Sequence, residues 1–337
     1  MMMRKKYTKM MMIRVSTTLK VVSSSFLLTL TRKFATVECS LVQLSADIDF
    51  IYNDLTTNTE FSMSRFRLAV VKQQIQHRLY VLSPLQFRKI KKESFTQFLQ
   101  DTLSDCPDMM IGTGEDPDRI YVLMPDKADV LVFMGLSLML FRLSHGGLPE
   151  DGYRTNDQCE ALFKSLKEMG KVDRLYRLDL KYSLNIIPKS LVLDNVKSFV
   201  GDGYVYNLIS SILNLPIIDE DGNHRDDISL GGIPPVGEIA RVLFNIVLMD
   251  IFDREFPKRF PGVAFTRMNN EVFILTREND NVVFDYKAGY LLLEELSLVG
   301  NLTSIGPCDE PILCSDGWMV FLDSDRTIRV GYPNEFY

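Results

Sequence analysis

Few residues of this chain have the type and spacing that chemistry needs. The five cysteines, Cys39, Cys106, Cys159, Cys308 and Cys314, are odd in number and lie far apart, and there are three histidines in all. Neither set has the spacing of a zinc site, so no metal site is expected from them, and free thiols in a reducing compartment are. His145, in Ser144-His145-Gly146, has no assignable serine or cysteine partner and reads as a loop histidine. Asp179 is a single carboxylate at the end of the strand-like run from Arg174 to Lys181, a common place for an exposed aspartate.

The stronger signal is charge. Arg65, Arg67, Lys72, Arg78, Arg88, Lys89, Lys91 and Lys92 form a block with no acidic residue among them, and Phe66, Tyr80 and Phe87 are interleaved. Like charges this dense imply either a partner or a solvated helix face whose aromatics turn to the core. Cations neutralise phosphates and aromatics stack on unpaired bases, so an RNA partner and a solvated helix face both stay open on these residues alone. The chain as a whole is not a basic nucleic-acid binder: 38 Lys and Arg against 44 Asp and Glu give a net charge of -6. Residues 1–37 hold eight of the basic residues and no acid, which leaves 30 basic against 44 acidic residues in the remainder. A local basic face stays compatible with that balance.

The same 37 residues are rich in Ser and Thr. That is the composition of a transit peptide, because a cationic, acid-free segment is drawn inward by a membrane potential. Arg32-Lys33-Phe34-Ala35-Thr36 looks like a processing site, and the apolar run from Val21 to Leu30 is broken by serines and too short to span a bilayer. A secretory signal competes, but its apolar core would be weak. The expectation is a leader over 1–37 addressed to the mitochondrial matrix, with a plastid as the alternative.

Periodicity gives the elements that must position these groups. The stretches 41–55 and 130–143 read as helices, the second a buried core helix and not a membrane span. The stretch 120–124 reads as a strand. A helix capped by Asn156 or Asp157 carries Ala161, Leu162, Leu166 and Met169 and closes at Gly170. Helices are expected over 191–200 and 204–215, and a hairpin joins 217–218 to 228–230 around Asp221-Gly222. After the breakers Pro234, Pro235 and Gly237, the apolar series Ile239, Val242, Leu243, Ile246 and Val247 marks a helix. A hairpin follows, 263–266 and 272–275, with the polar tip Arg267-Met268-Asn269-Asn270-Glu271. The spacing then predicts a strand over 282–286, an amphipathic helix over 291–299 and a last hairpin from 318–322 to 327–330. Asn301-Leu302-Thr303 is a glycosylation sequon only in a secreted protein and is discounted.

The stretch from Gly232 to Leu275 resembles the palm of group II intron maturases, a reverse-transcriptase-like family. Where the family has Thr-Pro-Gln-Gly-Gly before a helix with Ala-Asn-Ile, this chain has Ile233-Pro234-Pro235-Val236-Gly237 and Phe244-Asn245-Ile246. The family's Phe-Val-Arg-Tyr-Ala-Asp-Asp hairpin reads Phe265-Thr266-Arg267-Met268-Asn269-Asn270-Glu271 here. Asp179 takes the place of the first metal-binding aspartate, Leu184 that of the aromatic beside the sugar and Asn185 that of a second acid. Ser144-His145-Gly146 matches the start of a segment whose arginine helps bind the incoming nucleotide, and Arg154 stands in for it beyond an insertion.

This resemblance implies an α+β fold, reverse-transcriptase-like fingers and palm with an antiparallel palm sheet backed by helices. It implies a helical, fingers-like region over 38–143 and a degenerate palm over 144–337, with the family's thumb and maturase domain absent. Polymerases of this type hold two magnesium ions between carboxylates on the first palm strand and at the hairpin tip. Asn270 is neutral and Glu271 is a methylene longer than the aspartate it replaces, so Asp179, Asn270 and Glu271 are vestigial positions and no catalytic residues or cofactor are expected, Mg²⁺ entering only with residual polymerase activity. The implied function is that of an RNA-binding, polymerase-inactive factor for splicing of organellar group II introns, similar to the nuclear-encoded maturases of plant mitochondria. Its partners would be group II intron RNA and other splicing factors. The alternatives are a surviving reverse transcriptase and a truncated or partner-dependent subunit.

Overall fold

The structure is a computed structural model, and it describes residues 44, 47–48, 77–91, 110–112, 119–144, 162–164, 166–201, 203–228, 230–278, 280, 282–314 and 317–333. The leader 1–37, Arg65, Arg67, Lys72, Lys92, His145, Arg154, the cap at Asn156 or Asp157, and Cys39, Cys106 and Cys159 lie outside the described residues. In chain order the strands are β1 (Leu85–Lys91), β2 (Met110–Gly112), β3 (Arg119–Met124), β4 (Arg174–Asp179), β5 (Ile217–Ile218), β6 (Ala264–Met268), β7 (Glu271–Thr276), β8 (Asn301–Ile305), β9 (Ile312–Leu313), β10 (Met319–Leu322) and β11 (Ile328–Gly331). The helices are α1 (Lys127–Ser144), α2 (Lys189–Val200), α3 (Tyr204–Leu213), α4 (Glu238–Ile251), α5 (Phe256–Arg259) and α6 (Tyr286–Glu295), with a 3-10 turn at Lys181–Asn185.

The architecture is α+β. One sheet runs β2-β3-β1-β5, a central one β6-β7-β4-β8 and a third β11-β10-β9. Every pairing of these strands is antiparallel except the short contact of β1 with β5. Successive residues of a strand face opposite ways, and the central sheet uses both faces. Tyr176, Leu178, Val272, Ile274 and Leu302 join a core with α1 to α4 and α6, while Leu175, Phe273, Leu275 and Ile305 join a second core around Trp318, Val320 and Val330. Burial on both faces explains why β7 reads as an unbroken apolar run, Val272 to Leu275.

Two glycines set the approach of α4 to this sheet. Gly237 precedes the helix with φ of 81°, a region that side-chain-bearing residues rarely enter. At Gly232 a Cβ would lie 2.3 Å from the Leu184 carbonyl oxygen, so the loop before α4 lies directly on the 3-10 turn that follows β4. The Ile233 N–H donates to that same oxygen at 2.9 Å.

Four expectations are corrected. Residues 85–91 of the basic block form a strand: Leu85 and Phe87 enter the core, after which Arg88, Lys89 and Lys91 leave it. The hairpin after Ile218 closes at His224 and not over 228–230, because the Asp219 carboxylate accepts the N–H groups of Asp221 and Asn223 and tightens the turn. Residues 282–286 are not a strand: the Asp285 carboxylate accepts the Ala288 N–H at 2.8 Å and starts α6 there, five positions before the expected helix. The tip of the central hairpin is the two residues Asn269 and Asn270, since β6 continues to Met268 and β7 begins at Glu271.

Candidate functional site

The register of β4 with β7 sets Asp179 opposite Glu271, and the turn Asn269-Asn270 lies beside them. Asn269 has φ of 52°, which asparagine tolerates better than most residues. Period two puts Arg177, Asp179 and Glu271 on the same face of the sheet. The Arg177 Nε donates to Glu271 Oε1 at 2.8 Å, and its Nη2 donates to that oxygen and to Asp179 Oδ2, the latter at 3.4 Å. Asp179 Oδ1 accepts from the Asn270 Nδ2 amide at 2.8 Å and from the Lys181 N–H at 2.9 Å.

Arg177 and Glu271 are buried, at 9% and 2% exposure. Burial opposes the guanidinium charge, but Glu271 beside it, helped by Asp179, holds the Arg177 pKa above its ordinary value. This arrangement does not fit a divalent cation. Mg²⁺ requires converging oxygen ligands. Here an amide N–H points at Asp179, and a guanidinium bridges Asp179 to Glu271.

A second polar network fixes the tip. Arg267 donates to both carboxylate oxygens of Asp253, at 2.8 and 2.6 Å, to Asn245 Oδ1 at 2.6 Å and to the Asn269 carbonyl at 2.7 Å. Asn245 on α4 returns a hydrogen bond to Asn269 Oδ1 at 3.0 Å. Between this tip and the 3-10 turn lies a small cleft lined by Lys181, Leu184, Arg241, Phe244, Asn269 and Asn270.

The fold therefore brings Asp179, Asn270 and Glu271 together, and it adds Arg177, which the motifs do not single out. Its signal in the sequence is a charge in mid-strand, flanked by the inward-facing Tyr176 and Leu178. Four members of the basic block are described. Arg78 turns toward Asp126 and Asp129, at 3.8 and 3.7 Å. Arg88, Lys89 and Lys91 are exposed on β1. Phe87 stacks on Tyr121 at 5.5 Å, Lys89 lies over the Tyr121 ring at 5.4 Å and Arg225, from the loop after β5, lies over Phe87 at 4.5 Å. The result is a basic edge with an aromatic pair behind it, to which the fold contributes Tyr121 and Arg225.

With this geometry in place, comparison with known proteins gives a distant relative. The chain is 29% identical over 157 residues to an uncharacterized 39 kDa protein in mitochondrial S-1 and S-2 DNA of Zea mays, which covers 47% of this chain and 45% of the relative. The chain thus spans less than half the length of that relative. A solved structure of apo telomerase from Candida tropicalis, truncated from its C-terminal domain, is similar with a TM-score of 0.39 and 13% identity over 61% of this chain and 45% of that one. No protein-family model matches the chain. Among the described residues, no helix is long and apolar enough to cross a membrane.

Proposed function

We propose that this protein is an RNA-binding, polymerase-inactive factor of the maturase type, which supports splicing of mitochondrial group II introns by holding the intron RNA in its active fold. The observation that carries the reading is the Arg177 guanidinium held between Asp179 and Glu271. It places a tethered cation where a polymerase of this type needs mobile metal ions. The exposed Arg88, Lys89 and Lys91 on β1 support a phosphate contact. The acid-free leader composition and the maize relative's place in mitochondrial DNA support the compartment.

Two measurements test this. Crosslinking and immunoprecipitation of the tagged chain from mitochondria should enrich unspliced group II intron transcripts, and Arg88→Ala, Lys89→Ala and Lys91→Ala combined should lose them. Failure of the intact chain to enrich intron RNA, or enrichment of DNA in its place, overturns the splicing role. Primer extension on an RNA template with Mg²⁺ should give no product. Extension that Asp179→Ala abolishes overturns the inactive half of the proposal.

A further inference from the structure

We infer that the outward face of α6 is an interface between two copies of this chain, paired antiparallel about a two-fold axis. The helix carries apolar residues on both sides. Its inner side buries Gly289, Leu292 and Leu293, and it lies so close to the sheet that a Cβ at Gly289 would meet the Leu302 side chain at 2.6 Å. Its outer side carries Lys287, Tyr290, Leu291 and Glu294, which recur at the three- and four-residue intervals of one helix face. Tyr290 and Leu291 are 49% and 47% exposed, and Tyr286 at the edge of the stripe is held to the sheet by its hydroxyl's hydrogen bond with Ser304 and its ring's contact with Tyr176. A helix on a protein surface ordinarily turns a charged face to water, and one that is apolar all round is covered.

The order of residues along the stripe identifies what covers it. A closed two-fold interface requires a patch that is its own complement. An axis passing between Tyr290 and Leu291 lays Tyr290 of one copy on Leu291 of the other. The same axis brings Lys287 against Glu294, because the two residues stand equally far from it on opposite sides. Among the described residues neither Lys287 nor Glu294 forms an ion pair within the chain. The stripe thus has an apolar centre and one cation and one anion placed to satisfy each other across the axis. An α6 of 10 residues is about 15 Å long, so its contact falls below the standard interface size and a dissociation constant on the order of micromolar is expected.

Sedimentation velocity of the full chain at physiological salt, from about 1 to 100 μM, spans that range. A reversible monomer–dimer equilibrium is expected. Lys287→Glu or Glu294→Lys alone places like charges opposite each other twice per dimer and should weaken association about tenfold. The two reversals combined should restore it. Tyr290→Arg should abolish it while leaving the thermal unfolding of the monomer unchanged, since Tyr290 is half exposed. A monomer throughout the range overturns the proposal, as does a dimer indifferent to the reversals or one that the double reversal fails to restore.

Discussion

Arg177 supplies the positive charge that lies between the Asp179 and Glu271 carboxylates. Removing it should be costly in a specific way. Arg177→Ala removes the guanidinium beside the buried Glu271 and is expected to destabilise the fold by about 3 kcal/mol, read as a lower urea midpoint. Adding Asn270→Asp then supplies a further carboxylate beside Asp179, and the double variant should bind Mn²⁺ and melt higher in its presence. The parent chain's melting temperature should not respond to Mn²⁺. An equal response of parent and double variant would show that the guanidinium does not keep cations out. A different buried acid makes the fold sensitive to pH. Burial pushes the Asp129 carboxyl up from 3.8 to about 6, against the opposing pull of the Ser83 N–H and of Arg78. Between about pH 4 and 6 the folded protein therefore holds a proton that the unfolded chain has released, and stability falls as pH rises through that window. The contribution is full below about pH 4, lost above about pH 6 and worth roughly 2–3 kcal/mol. Asp129→Asn keeps an acceptor for Ser83 and removes the titration. Its urea midpoints at pH 4.5 and 7.5 should differ by less than those of the parent, and an unchanged difference assigns the slope to another group.

At the scale of elements, the order of strand, helix and hairpin was legible wherever one pattern dominates. The breakers before α4 and its apolar series gave that helix, and the run Val272 to Leu275 gave β7. The elements that escaped are those that touch the core at few positions. β1 presents two inward residues before its basic end, so its alternation is too short to read. β8 is an edge strand burying only Leu302 and Ile305, a spacing that a helix would share. At the site, Asp179, Asn270 and Glu271 were legible from the motifs, whereas Arg177 acquires meaning only when β4 and β7 are set in register. Asn245 and Arg267, which match the motif residues, turn out to frame the tip by bracing it against α4. The junction of that frame can be tested at two glycines. Gly232→Ala forces a Cβ onto a backbone carbonyl that cannot rotate away and should destabilise by about 2–3 kcal/mol. Gly237→Ala meets open space, but its φ of 81° with ψ of -152° is a region essentially reserved for glycine, an expected loss of about 1–3 kcal/mol. Thermal or urea unfolding should show both losses, and an unchanged midpoint for Gly232→Ala would mean that the loop yields there.

For the whole molecule the question is what the proposed RNA contact asks of an acidic chain. The net charge of -6 gives no long-range attraction to nucleic acid. At physiological salt, fields are screened within about 8 Å, so the acidic remainder does not cancel a basic edge that touches phosphates directly. Arg88, Lys89 and Lys91 extend along the end of β1 where it leaves the core, with Arg225 and the Phe87–Tyr121 pair behind them. Affinity for a single-stranded oligoribonucleotide should then be local and steeply salt-dependent. Each phosphate neutralised on a single strand contributes about 0.7 to the slope of log K against log salt. Replacing Arg88, Lys89 and Lys91 with alanine should therefore make the slope shallower by about 2, measured by fluorescence anisotropy between roughly 50 and 200 mM salt. A variant that loses affinity with its slope unchanged would move the phosphate contacts elsewhere and leave this edge with a role in shape. A variant unchanged in both would remove β1 from the interface, and the cleft at the hairpin tip, with Lys181 and Arg241 in its walls, would become the next surface to test.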